Sequence, residues 1–150
     1  MGRTTVWGQL MNNATPLRLV DWKPRLVDYL SRSASTPFAY GQFDCFLFTL
    51  GAVAVMTDID LTLDYRGRYS TLRQGIALAR KRGLRDHIDL VARHFDNIPP
   101  SFARAGDIAV VAGADGPALG LVQGEHIFAL VPSGMAVVPL TSALHAFRVA

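Results

Sequence analysis

Thr36-Pro37-Phe38-Ala39-Tyr40-Gly41-Gln42-Phe43-Asp44-Cys45 runs straight into Phe46-Leu47-Phe48-Thr49-Leu50-Gly51-Ala52-Val53-Ala54-Val55-Met56. The first half reads as a loop with a tight turn at Gly41. The second half reads as a helix that is apolar on nearly every side, and such a helix belongs in a protein interior. Asp44 suits its N-cap, because a carboxylate accepts from the free N–H groups of the first turn. Cys45, the single cysteine of the chain, then starts the helix. Unpaired N–H groups and the positive end of the dipole favour a thiolate there. A lone cysteine in that setting is a candidate nucleophile, set against the many free cysteines that only pack.

The order of these residues resembles the active-site segment of the NlpC/P60 superfamily of cell-wall cysteine peptidases, roughly T-P-[YF]-x-[YW]-G-G, a variable insert, then D-C-S-G-[FL]. Thr36, Pro37, Phe38, Tyr40 and Gly41 match, and Asp44-Cys45 follow after two residues. Phe46-Leu47 stand where Ser-Gly is usual. The compact form is similar to small phage and prophage proteins encoded among tail genes, over about Trp22 to Val149. The resemblance implies an α+β, papain-like fold in which N-terminal helices, including a buried Cys-bearing helix, pack on a C-terminal antiparallel β-sheet. It implies a site of Cys45 as nucleophile with Tyr40 and Asp44 shaping the pocket, and it implies neither metal nor cofactor.

Cysteine hydrolysis also needs a base and a group that orients it. In this superfamily the base opens the second strand in a motif like H-V-G-[IV]-Y-x-G, and R-x-G-D-[LIV] precedes it. Arg104-Ala105-Gly106-Asp107-Ile108 matches the latter. Ala118-Leu119-Gly120-Leu121-Val122-Gln123-Gly124 aligns with the former, which places Ala118 where the histidine stands. Alanine accepts no proton. The resemblance therefore implies a degenerate hydrolase, acting as a structural or adaptor protein of a phage tail near its tip. It would be assembled in the host cytoplasm, reside in the virion, and have other tail proteins (hub, distal tail or tip) as partners. The rival reading is an active peptidase or amidase that cuts peptidoglycan peptides during entry with some other base.

The bulk properties agree with one globular domain. The chain has 150 residues, half of them hydrophobic and 18% charged, enough to bury a core. No apolar run reaches the ~18 residues of a membrane span, since Asp58 and Asp60 stop the longest one. The N-terminus carries no signal-peptide pattern. Eight of the fifteen Lys and Arg residues fall between Arg66 and Arg93. Tyr65-Arg66-Gly67-Arg68-Tyr69 could stack bases, but one short cluster makes nucleic acid a poor partner, and packed tyrosines are the simpler reading. Asp58, Asp60 and Asp64 lack the glycine and terminal Glu of a calcium loop.

Residues 1–17 read as an extended arm and 18–150 as the domain. Trp22 to Ser33 reads as an amphipathic helix with Leu26, Val27, Tyr29 and Leu30 inward. Thr71 to Arg82 and Arg85 to Phe95 read as two more, the first ended by Gly83. Asn97-Ile98-Pro99-Pro100 breaks the pattern. Four strands then form a meander: Ile108–Ala112, Ala118–Gln123, His126–Val131 and Met135–Leu140. Residues 141–147 read as one closing helical turn. A two-residue loop at Gly124-Glu125 pairs Gln123 with His126. That puts His126 on the face opposite Ala118 and about 17 Å from it. His87 and His94 fall on a short helix with solvent as their default, and His145 is the spare base least excluded.

Overall fold

The computed structural model describes residues 15–150, so most of the arm expected over residues 1–17 lies outside the described residues. Helices α1 (Trp22–Ser33), α2 (Cys45–Thr57), α3 (Leu72–Lys81) and α4 (His87–His94) come first. Strands β1 (Asp96–Ile98), β2 (Ile108–Gly113), β3 (Gly116–Gln123), β4 (His126–Val131), β5 (Gly134–Pro139) and β6 (His145–Arg148) follow. They form one antiparallel sheet in the order β1-β6-β2-β3-β4-β5. The class is α+β, as expected, and α2 packs on β3 and β4 with α1 on its other side.

The burial of α2 follows from its composition. Ten of its thirteen residues are buried, so it has no solvent face to turn outward. Its neighbours are shaped to it. The Tyr29 hydroxyl donates to the Phe48 carbonyl at 2.7 Å, and the two rings stack at 5.9 Å. Gly51 makes that approach possible, since a Cβ there would lie 2.3 Å from the tyrosine oxygen. Of the inward residues expected on α1, Leu26 and Tyr29 are buried, but Val27 is 67% exposed. A 100° step per residue cannot hide both Leu26 and Val27 against a single partner helix.

The central strands β2, β3 and β4 are buried on both faces over most of their length, which explains their nearly unbroken apolar sequences. Ile108, Val110, Leu119, Leu121 and Leu130 face the helices. Ala109, Val111, Ala118, Val122, Ile127 and Ala129 form a second, smaller cluster, closed by Ala103, Leu140 and Ala143 from the 3-10 turns and their flanks.

The sheet also corrects two expectations. The break expected at residue 97 opens with strand β1, and the closing helical turn is a 3-10 turn at Leu140–Ser142 followed by strand β6. β6 slots between β1 and β2, pairing Phe147 with both Asn97 and Ile108. The meander is therefore a six-stranded sheet in which the C-terminal strand is interior.

Asp107 locks the chain ends to that sheet. It is fully buried, and Oδ1 accepts from Val149 N at 3.0 Å and from the Arg18 guanidinium at 3.1 Å. Its Oδ2 accepts from Arg104 N at 3.0 Å. Arg18 also donates to the carbonyls of Val149 and Ala105, each at 2.8 Å. Gly106, at φ +92°, clears the way, because a Cβ would sit 2.8 Å from the Arg18 nitrogen. The Arg-Ala-Gly-Asp-Ile motif is thus a structural clasp between the two ends of the domain.

Candidate functional site

The loop before α2 is drawn into a tight hook. Ala39 and Phe43 exchange backbone hydrogen bonds at 2.9 and 2.8 Å, with Gly41 between them at φ +80°. A Cβ on Gly41 would lie 1.8 Å from the Tyr69 carbonyl oxygen. No other residue type fits against that backbone.

Asp44 anchors the hook to the helix. Oδ1 accepts from Leu47 N at 2.9 Å, the capping bond expected from the sequence. Oδ2 accepts from Gly41 N at 3.0 Å and from the Tyr69 hydroxyl at 2.5 Å. The carboxylate is almost wholly enclosed, at 2% exposure. Burial, followed by the Asp44 charge, drives the Tyr69 phenol far above its ordinary pKa, so Tyr69 stays a donor. Both Asp44 oxygens are thus engaged in holding the hook to the helix.

Cys45 lies at the tip of α2 and packs against the second cluster, which includes Ala118. Burial pushes its thiol up to about 11 from an ordinary 9, and the Asp44 charge adds to that. Backbone groups of Leu119 and Phe46 pull the other way and lose. Burial thus opposes the thiolate that the helix terminus favours. The dipole effect is worth about 0.3–1 kcal/mol in an ordinary setting, and here it works against the desolvation of a half-buried thiol beside a carboxylate.

Two cavities meet over Cys45. One is a narrow cleft of about 40 Å³ that runs between α2 and α3 past Phe46, Tyr69, Ile76 and Leu84. The other runs along Phe38, the β2–β3 hairpin at Ala112–Ala118, and the β4–β5 turn. Tyr40, Cys45, Leu72 and His87 line both. Tyr40 is half-buried and meets Phe38 edge-on at 4.8 Å, and burial raises its phenol. The resulting groove is chiefly apolar, the character of a site for an extended, weakly charged ligand.

The histidines divide as follows. His126 pairs with Gln123, as the loop length required, and is exposed. His94 bonds the Leu90 carbonyl at 2.9 Å on its own helix. His145 lines a separate cleft with Arg85 and Asp86. His87 departs from expectation: it lines the Cys45 groove, and its Nε2 lies 3.0 Å from the Pro117 carbonyl. A carbonyl only accepts, so Nε2 carries the proton and Nδ1 is the open lone pair of the neutral ring. His87 thus rests one residue from Ala118, the position where a strand histidine was expected. No sequence signal could reveal this, since a contact across 30 residues that include α4, β1 and β2 is a tertiary event.

The remaining sequence features settle into structure. Tyr65 and Tyr69 are 6% and 9% exposed, so neither ring offers a face for stacking. Asp58, Asp60 and Asp64 pair with Arg25, Arg66 and Arg82 at 3.5, 3.1 and 2.6 Å. Among the described residues no helix is long and apolar enough to cross a membrane.

Comparison with protein families bears on the whole domain at once. The family model of DUF6950, a domain of unknown function, matches residues 17–149. The chain belongs to the DUF6950 family. No curated protein matches it. The matched span begins one residue before Arg18 and ends at Val149, so the two ends joined by the Asp107 clasp are the ends of the DUF6950 domain.

Proposed function

We propose that this DUF6950 protein is a structural or adaptor component of a phage tail, at or near the tip, with an NlpC/P60-like fold and a degenerate hydrolase site. The observation that carries the reading is the state of Cys45. Its thiol is held protonated at neutral pH, Ala118 stands in the expected place of the base, and Asp44 is consumed by the fold. A neutral thiol is a weak nucleophile, and the backbone groups of Leu119 and Phe46 only partly offset its burial. The compact Gly41-to-Cys45 segment, similar to proteins encoded among tail genes, supports the virion location. Tail hub, distal tail or tip proteins are the partners, and the basic surface of Arg73, Arg80 and Lys81 is available to meet them. The test is a phage carrying Cys45→Ala. It assembles infectious virions with the protein present in purified tails, whereas deletion of the gene halts tail assembly. Loss of infectivity from Cys45→Ala alone would refute the structural reading.

A second reading, an active cysteine peptidase or amidase cutting peptidoglycan peptides, is favoured by one observation: His87 in the same groove. Nδ1 would take the thiol proton, the sulfur would attack the peptide carbonyl, and the proton would return to the departing amine. Water would then release the acyl group. Digestion of muropeptides that is lost in both Cys45→Ala and His87→Ala establishes this reading.

A further inference from the structure

β5 is one edge of the sheet, and its backbone is half unspoken for. Val131 and Gly134 flank the two-residue turn Pro132-Ser133 and pair directly, so they form the close, hydrogen-bonded pair of a tight hairpin. Alternation then makes Ala129–Ala136 and Ile127–Val138 the next bonded pairs. Gly134, Ala136 and Val138 direct their N–H and C=O groups to β4. Those of Met135 and Val137 point away from the sheet. Among the described residues no loop or side chain bonds to them.

The strand, Gly134-Met135-Ala136-Val137-Val138-Pro139, has no charged side chain. Proteins usually blunt a free edge with charge, a bulge or extreme shortness. The opposite edge obeys: β1 has three residues, includes Asp96, and runs into Pro99-Pro100. β5 has six residues and no charge, its one proline stands at its last position, and Val137 on it is 56% exposed.

We propose that β5 pairs antiparallel with β5 of a second copy of this chain, about a two-fold axis through Ala136. In that register Met135 of each copy faces Val137 of the other. Each such pair exchanges two N–H···O bonds, so every outward donor and acceptor of both residues is satisfied. The neighbouring two-fold registers do less. Centred on Val137, Pro139 falls opposite Met135 and has no N–H to give. Centred on Met135, Val137 falls opposite Ser133, inside the turn. Side chains agree with the first register. Met135 packs at the rim of the main core, and Val137 lies opposite Phe128 on the same face. Each exposed Val137 is then covered by the other copy's Met135, and no charges oppose. A groove lined by Ala34, Pro37, Phe38 and Met135 leaves room beside that contact.

Sedimentation velocity of the full chain, from low micromolar to several hundred micromolar, tests this. The expected result is a reversible shift from the 16.3 kDa monomer to a dimer, with amide exchange slowing at Met135 and Val137 as dimer forms. Val137→Lys sets two ammonium groups near the axis, and Val137→Pro deletes one N–H per copy. Each is expected to weaken dimerisation at least tenfold, while Asn97→Lys on the opposite edge leaves it unchanged. A chain that stays monomeric throughout overturns the proposal. So does a dimer indifferent to both Val137 variants, or a β5 edge protected only by a strand of another tail protein. The outcome is independent of whether Cys45 is active.

Discussion

Replacing Asp44 by Asn separates a residue that holds the site together from one that performs chemistry in it. The carboxylate is 2% exposed and accepts three hydrogen bonds, from Leu47 N, Gly41 N and the Tyr69 hydroxyl. Asparagine keeps one oxygen and converts the other into a donor. If the oxygen keeps the Leu47 cap, the new NH₂ faces the Gly41 N–H and the Tyr69 hydroxyl. Tyr69 can rotate its proton and accept, but the Gly41 N–H cannot. A buried donor left unpaired costs about 1–3 kcal/mol, and each bond to a charged acceptor is worth about 1.5–3 kcal/mol. The expected loss is roughly 2–4 kcal/mol, read from urea unfolding followed by circular dichroism. Tyr69→Phe removes one of the three bonds and is expected to cost about 1.5–3 kcal/mol. The double variant should show a coupling of about 1–3 kcal/mol. Asp44→Asn carries a second signature, because the Asp44 charge helps raise the Cys45 thiol. Alkylation of Cys45 near neutral pH should therefore quicken in the variant. A variant as stable as the parent, within about 0.5 kcal/mol, with unchanged alkylation would refute the structural role assigned to Asp44.

Alkylation of Cys45 in the parent should rise with pH to a midpoint near the thiol's value of about 11, and a midpoint below pH 8 would overturn the account of a neutral thiol. The linked stability has a fixed sign. The folded pKa is above the unfolded one, so the contribution is whole below pH 9 and is lost as pH rises from 9 toward 11. Asp107→Ala strands the part-buried Arg18 guanidinium and is expected to cost about 3–5 kcal/mol in urea unfolding. Adding Arg18→Met should recover part of that loss. Gly51→Ala pushes a methyl onto the Tyr29 hydroxyl, 2.3 Å away, for a loss of about 1–3 kcal/mol. Tyr29→Phe in that background should relieve some of it.

What the sequence disclosed was local, and what it hid was contact between distant parts. The α2 helix with its Asp44 cap, the helix stop at Gly83 (φ +85°) and the Gln123–His126 hairpin register are each decided within a few residues. Strand β6 was hidden because His145–Arg148 is only four residues long, too short for alternation to register as a period. Its status depends on β1 and β2, which it joins. His87 was hidden for a related reason. Helical period places it on a short, polar turn, and only the return of the β2–β3 hairpin brings the Pro117 carbonyl to its ring. The balance at the thiol was hidden too, since a helix terminus is visible in sequence and desolvation is not.

The resemblance to cysteine peptidases rests on residues that this fold needs for reasons other than catalysis. Gly41 is forced by the Tyr69 backbone, Asp44 caps α2 and ties down the hook, and Gly106 and Asp107 admit and hold Arg18. The position whose sole task would be proton transfer is Ala118, and there, as at Phe46-Leu47, the chain departs from the motif. A chain that shed hydrolysis while keeping the scaffold would retain the first set and lose the second, so the motif by itself carries no weight for activity. His87 is the one residue that bears on it. If catalysis passes through Nδ1, replacing His87 by Gln, which keeps a donor for the Pro117 carbonyl but has no lone pair of comparable basicity, should abolish peptide cleavage and leave unfolding unchanged. If the site is silent, His87→Gln should change neither.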